Sequence, residues 1–249
     1  MYADPVTTVE MSEVSLLVAI HQPNFFPWLG FFDKVARSDV FVFFDDVQYS
    51  KTGGTWSNRV RLLIGGDSRW VTAAIDRSFS GTREILDMNF LSEIPWRQKM
   101  LRSLEVNYRR CSFYPETMGL IEPLILNKES NVARYNILVV TKIAEHLGID
   151  SGKIARASEF NIGSVSNERL CDLTLQVGGN AYMCGAGAEG YQDELVFEQR
   201  GVKLVNQDFI HPNYSQVGGG EFISGLSIID AAMNLGWDGV RRLLREPTS

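Results

Sequence analysis

Residues 20–59, IHQPNFFPWLGFFDKVARSDVFVFFDDVQYSKTGGTWSNR, decide the fold. An apolar run, Leu16 to Ile20, breaks into His21-Gln22-Pro23-Asn24, and a second, Asp39 to Phe44, breaks into Asp45-Asp46. Both read as strands whose continuous apolar character suits burial on two faces. Between them, Leu29, Phe32, Val35 and Ala36 recur at the spacing of one helix face, which predicts a helix over Trp28 to Ser38. Strand, helix and strand make one βαβ unit. Its two strands run the same way, so His21 and Asp45 are expected side by side at the carboxyl edge of a parallel sheet, where open α/β folds keep their ligands. The start of the helix faces that edge, and its free N–H groups favour an anion there.

The remaining pattern alternates. RLLI and RWVTAAI flank Gly65-Gly66-Asp67 as a hairpin. Helices are expected over Pro95 to Arg110 and Asn131 to Leu147, the latter closed by Gly148, with only short helical pieces between them. Further on come a helix from Ser166 as cap to Val177, a strand over Ala181 to Cys184 and a helix over Tyr191 to Gln199. A strand over Val202 to Val205, a last helix over Ser224 to Leu235 and a frayed tail from Glu246 complete the chain. The expectation is a mobile segment over residues 1–13 and a single Rossmann-like α/β domain over 14–245, with a mainly parallel sheet and a helical insertion at about 95–147.

At 249 residues and 45% hydrophobic, the chain can bury a substantial core. A net charge of -6 gives no electrostatic reason for general nucleic-acid binding or attraction to anionic membranes. The run Val14 to Ile20 is too short to span a bilayer, and the residues before it lack the basic start of a secretory signal, so a cytoplasmic protein is expected. Three cysteines, an odd count without close pairing, fit reduced thiols. No C-x-x-C, H-E-x-x-H, Walker loop or G-x-S-x-G element occurs.

The candidate site gathers around the first strand. His21 is either a general base, titrating near neutral pH, or a phosphate contact, or a structural histidine held by hydrogen bonds. Asp45 and Asp46, adjacent on an extended chain, point to opposite faces. One of them, assigned as Asp45, acts at the site by orienting His21 or holding Mg²⁺ beside phosphates, and the other bonds the loop backbone. The cleft formed by His21, Asn24, Asp45 and Tyr49, with Gln22 beside it, is expected to hold the ligand. The loop after it, with Lys51, Gly53-Gly54, Trp56, Asn58 and Arg59, is a substrate or phosphate loop or else a plain surface turn. Late in the chain, Gly185-Ala-Gly187-Ala-Glu-Gly190 matches G-x-G-x-x-G after a strand. Glu189 would set a negative charge beside a pyrophosphate, which favours a glycine loop lining the same cleft over a dinucleotide site. Cys184, just before it, is a nucleophile only if a base or a helix start lowers its pKa, and otherwise packs as a small apolar residue. His211 follows a strand and is placed to bring a second histidine to the cleft.

The run IHQPNFFPWLGFFDKVARSDVFVFFDDVQYSK, with SNERLCDLTLQVGGNAYMCGAGAEGY, ELVFEQRGVKLVNQDFIHPNYSQ and GLSIIDAAMNLG, resembles the WbqC-like family of bacteria. The resemblance covers nearly the whole chain after Val18. That family is associated with clusters that make cell-surface polysaccharides such as O-antigen, often beside enzymes of nucleotide-linked amino sugars. It usually carries a serine-glycine pair where this chain has Cys184-Gly185, so a special role for the thiol would be a departure. A looser likeness is to nucleotidylyl-transferase-type Rossmann-like folds, whose P-x-H-x-G-H turn is only shadowed by Pro27-Trp28-Leu29-Gly30. Enzymes of that fold include ATP-dependent amide-forming ligases resembling pantothenate synthetase. Together these imply amide formation on the amine of a nucleotide-linked amino sugar or similar small metabolite, with ATP and Mg²⁺ or a ready-made thioester supplying the acyl group. The alternatives are a non-catalytic nucleotide-sugar binding or assembly protein, and a nucleotidylyl-transferase-like enzyme.

Overall fold

A computed structural model describes residues 15–50, 55–185 and 192–245. The expectations for residues 1–13, for Lys51 and Gly187, and for the tail from Glu246 lie outside the described residues. In chain order the first half runs β1 (Leu17–His21), α1 (Leu29–Arg37), β2 (Val40–Phe43), β3 (Arg59–Ile64), β4 (Asp67–Thr72), α2 (Trp96–Tyr108) and α3 (Tyr114–Leu126). The second half runs α4 (Val132–His146), β5 (Ile154–Arg156), α5 (Ser166–Gln176), β6 (Ala181–Cys184), α6 (Glu194–Gln199), β7 (Lys203–Asn206) and α7 (Ile228–Arg245).

Five strands form one sheet in the order β5-β2-β1-β6-β7, and every pairing in it is parallel. The fold is α/β with a Rossmann-like strand order, as the βαβ reading predicts. Side chains alternate across the sheet with period two. Ala19, Phe41, Phe43 and Met183 enter a large core with α1, α2, α3, α4 and α7. Val18, Ile20, Val42, Tyr182 and Cys184 enter a smaller one with residues of α5 and α6. Two-sided burial is why these strands read as unbroken apolar runs.

The hairpin β3–β4 forms a separate two-stranded sheet and turns at Gly65 (φ 63°) and Gly66 (φ 88°). Both central residues of such a two-residue turn need positive φ, which glycine supplies without a Cβ penalty. After an irregular stretch over 73–95, the chain from Trp96 to His146 is mainly helical. The short pieces expected between α2 and α4 are instead one helix of 13 residues, α3. Pro115, in its first turn, is tolerated there, while Gly119 and Pro123 mask the helical pattern. Two further boundaries differ. Ser166 is the first residue of α5, at φ 53°, and Val165 occupies the cap position. The last helix runs to Arg245 because the chain bends at Gly236 (φ 68°) and resumes, with the Phe113 ring 2.6 Å from where a Cβ at Gly236 would sit.

Glycine substitutions test this packing. A Cβ at Gly179 would collide with Val18 Cγ2 and lie 3.1 Å from the Thr174 carbonyl, so Gly179→Ala should cost about 1–3 kcal/mol in urea unfolding. Gly119, exposed in mid-helix with open space around its Cβ position, should show the reverse sign, Gly119→Ala gaining about 0.5–1 kcal/mol.

Candidate functional site

The strand order places β1 beside β6, with the chain winding one way from β1 and the other way from β6. Ligands of open α/β sheets bind at such a reversal, outside the carboxyl ends of the strands. A cavity of about 850 Å³ lies there. Its walls come from the β1–α1 turn (His21, Gln22, Asn24, Trp28), from α1 (Gly30, Lys34), from α5 (Ser166, Arg169), and from Trp56, Gly185, Gln207, Phe209 and His211.

Pro23 and Pro27 end pairing after β1 and stiffen the turn that follows. Among the described residues, three without a glycine's freedom hold positive φ: Phe26 (43°), Ser166 (53°) and Asp208 (48°). All three lie in or beside the lining segments. Such a conformation costs roughly 1–2 kcal/mol each and persists only where the surroundings enforce it. Here they do. Asn136 of α4, fully buried, donates from Nδ2 to the carbonyls of Pro23 (2.9 Å) and Ser57 (2.7 Å), clamping the first turn to the loop that carries Trp56. Ser227 Oγ donates to the Phe26 carbonyl at 2.7 Å. Gln207 Nε2 donates to the Gly30 carbonyl (2.6 Å) and to Asp33 Oδ2 (2.8 Å), seating the segment after β7 on α1.

Electrostatically the cavity is one-sided. Among the described residues that line it there is no carboxylate, while Lys34 and Arg169 are cations. Burial pushes the Lys34 ammonium down to about 8, although Cys184 and Asp33 nearby oppose the shift. Burial, then the Lys34 charge, pushes His21 down to about 4, so its ring is neutral at pH 7. His21 Nδ1 lies 3.0 Å from the Gln22 carbonyl. A carbonyl only accepts, so Nδ1 carries the proton and Nε2 keeps a lone pair. His211, against the Phe209 ring, is also lowered, by burial and by Arg61. Trp28 and Trp56, with ring centroids 5.2 Å apart, form an aromatic corner.

The structure thus gathers His21, Gln22, Asn24, Trp56, Gly185 and His211 of the sequence-predicted set in one cavity. The other described members of that set are placed off the cavity lining. Asp45 is buried and accepts from Ser158 through both oxygens, from N at 3.0 Å and from Oγ at 2.7 Å, off the cavity lining. Its bonds to Ser158 thus hold it away from His21 and off the cavity wall. Asp46 pairs with Arg169, and burial raises its pKa. Tyr49 is buried and donates to Asn58 Oδ1 at 3.3 Å, Asn58 Nδ2 donates to the Ala73 carbonyl, and Arg59 lies with its guanidinium 4.0 Å over Trp70. These three anchor the hairpin to the loop before it. The Cys184 thiol is buried behind the lining and donates to Asn206 Oδ1 at 3.0 Å. Among the described residues no group of three or more His, Cys, Asp or Glu side chains is arranged to hold a metal ion.

The sequence model of the WbqC-like protein family matches residues 22–242. The chain belongs to the WbqC-like family. Within this WbqC-like chain the matched span takes in α1, α5 and the segments after β6 and β7 that wall the cavity. A relative, the uncharacterized protein Rv1507c of Mycobacterium tuberculosis (strain ATCC 25618 / H37Rv), is 31% identical over 224 residues, covering 88% of this chain and 94% of its own. No solved structure matches. No helix among the described residues is long and apolar enough to cross a membrane.

Lys34, Arg169 and Gln207 are absent from the sequence reading. The apolar stripe Leu29, Phe32 and Val35 assigns Lys34 to a solvent face, yet α1 buries Asp33 and Lys34 as well. The one available signal was that Trp28, Phe31 and Phe32 are too apolar all round for a helix with a wet face. Keeping the Lys34 charge buried costs stability, which gives a signed prediction. The folded state releases this proton near pH 8, the unfolded chain near the ordinary 10.5, so between those values the unfolded state binds more protons and stability rises with pH. Lys34→Met should be more stable than the parent at pH 7, by roughly 2–3 kcal/mol, and should lack that rise in urea unfolding followed from pH 7 to 10.5.

Proposed function

We propose that this WbqC-like chain is a biosynthetic enzyme that transfers an acyl or aminoacyl group to the amine of a nucleotide-linked amino sugar or a similar small anionic metabolite. The observation that carries the reading is a neutral imidazole with a free Nε2, kept next to a buried cation in a cavity without carboxylates among its described walls. The volume is in the range of small-molecule sites, and the Trp28–Trp56 corner offers faces to a sugar or a base.

In this reading the substrate amine attacks the carbonyl carbon of an activated acyl group. The C–N bond forms, the bond to the leaving group breaks, and the proton lost from nitrogen passes to His21 Nε2 and on to the leaving group or to water. With Asp45 bonded to Ser158, the described residues offer Mg²⁺ no protein carboxylate at the cavity. ATP with Mg²⁺ therefore fits these walls less well than a ready-made thioester. Cys184, a thiol that donates its proton to Asn206 and stands off the lining, takes no acyl group in this scheme.

Incubating the protein with amino-sugar nucleotides and acyl donors, thioesters and ATP plus amino acids in separate arms, should give a product with one added acyl mass. His21→Ala should abolish turnover while leaving the melting temperature within a few degrees of the parent; activity retained in that variant makes His21 structural. Cys184→Ser should keep a sizeable part of the activity, with no acyl adduct on the intact protein. Ligand binding without a product in any arm would identify a nucleotide-sugar binding protein instead.

A further inference from the structure

We propose that Lys34 Nζ, Asn24 Nδ2 and the first turn of α1 form a phosphate subsite, which takes the diphosphate of the ligand. A diphosphate is the group that joins sugar to nucleotide in the substrate class proposed above, so the subsite deepens that reading and rests on it for the natural ligand.

Three kinds of donor line the same cavity. None of the hydrogen bonds or ion pairs among the described residues uses the Lys34 ammonium, although the residue is only 4% exposed. Its charged neighbour on the same helix, Asp33, is already engaged by Gln207 and Arg37. Asn24 is 3% exposed, and its Nδ2 is buried with no hydrogen-bond partner. Buried donors of either kind are normally matched, so two open ones in one cavity wall mark where an acceptor binds. The third donor is the start of α1. Trp28, in the cap position, provides no side-chain cap, and the first turn holds no acidic residue; the Phe31 N–H bonds the Trp28 carbonyl at 3.0 Å, which leaves the Gly30 N–H and the positive end of the helix to face a ligand.

The cavity that Asn24, Gly30 and Lys34 line gives room for that acceptor. Lys34 follows Gly30 by four residues, and helical side chains lean toward the N-terminus, so the ammonium is carried back toward the turn, where the Trp28 indole and the Phe209 ring pack over Gly30. Opposite stands Gly185, where a Cβ would lie 3.1 Å from Lys34 Nζ; the missing side chain keeps the ammonium accessible. An ammonium, an amide and a backbone N–H suit the several oxygens of a phosphate better than the two of a carboxylate. Binding has a consequence for the base. A phosphate beside Lys34 offsets the charge that lowers His21, so the imidazole becomes a stronger base only when the ligand is seated. The titratable groups around the ammonium are His21 on β1, Asp33 on α1 and Cys184 on β6.

The test is calorimetric titration of the full chain with inorganic pyrophosphate, with uridine diphosphate, and with uridine and acetate as controls. Pyrophosphate and uridine diphosphate should bind at pH 7, and Lys34→Met and Asn24→Asp should each weaken both by about tenfold or more, roughly 1.4 kcal/mol. Circular dichroism should show both variants folded. Binding to the parent at pH 8 should take up a proton, seen as a dependence on buffer ionisation heat that Lys34→Met lacks. Unchanged affinity in both folded variants, or no binding of either phosphate at millimolar concentration, overturns the subsite. Acetate binding with the same dependence on Lys34 overturns the phosphate assignment. Lys34-dependent pyrophosphate binding with no amide product supports the subsite and removes the enzyme reading; amide product with Lys34-independent phosphate binding does the opposite.

Discussion

One strand constrains the rest of this molecule. β1 pairs on both edges, with β2 and β6, and is covered on both faces. Such a strand leaves no place along its length for a polar side chain, so polar chemistry can begin only where it ends, at His21. Because the neighbours on its two sides carry the chain in opposite directions, a crevice must open at that end. The turn with Pro23 and Pro27 lines this crevice, and α1 returns over the sheet from its rim.

Polar side chains then finish what the regular elements leave incomplete. Asn136 fixes two loops, Gln207 fixes a third, and Asp230 receives Tyr108, Tyr214 and Gln216 at 2.8–3.0 Å, joining α7 to α2 and to the irregular chain after β7. Tyr108 also receives the Leu63 N–H, which extends the same network to the hairpin. Each such bond contributes only about 1 kcal/mol net, yet leaving one of these buried groups open costs more. Among the described residues, buried side-chain atoms without a partner occur both in the scaffold, as at Asn136 Oδ1 and Trp237 Nε1, and on residues lining the cavity, at Asn24 Nδ2 and Arg169 Nε.

Much of the sheet was legible because two-sided burial writes itself into sequence as apolar runs, as in Leu16 to Ile20 and Ala181 to Cys184. β5 was not legible: three residues at a sheet edge, half-buried, leave no pattern to read. The candidate site was half legible. Strand ends announced His21 and Gly185, but the engagement of Asp45 and Asp46 depends on Ser158 and Arg169, 113 and 123 residues further on. Lys34 was hidden for the same reason. Its burial is decided by residues 207–211, more than 170 positions away, which no local periodicity reports.

The position of β1 also sets an order of events during synthesis. Its pairing with β2 is local and can close early, but its other edge waits for β6, which begins at Ala181. At ~5–20 residues per second that wait is roughly 8–30 seconds, during which an apolar strand shows an unpaired edge. Open edges of this kind recruit other chains. The nascent protein is thus most exposed to aggregation before β6 emerges, and chaperone dependence should track the first 180 residues more than the last seventy.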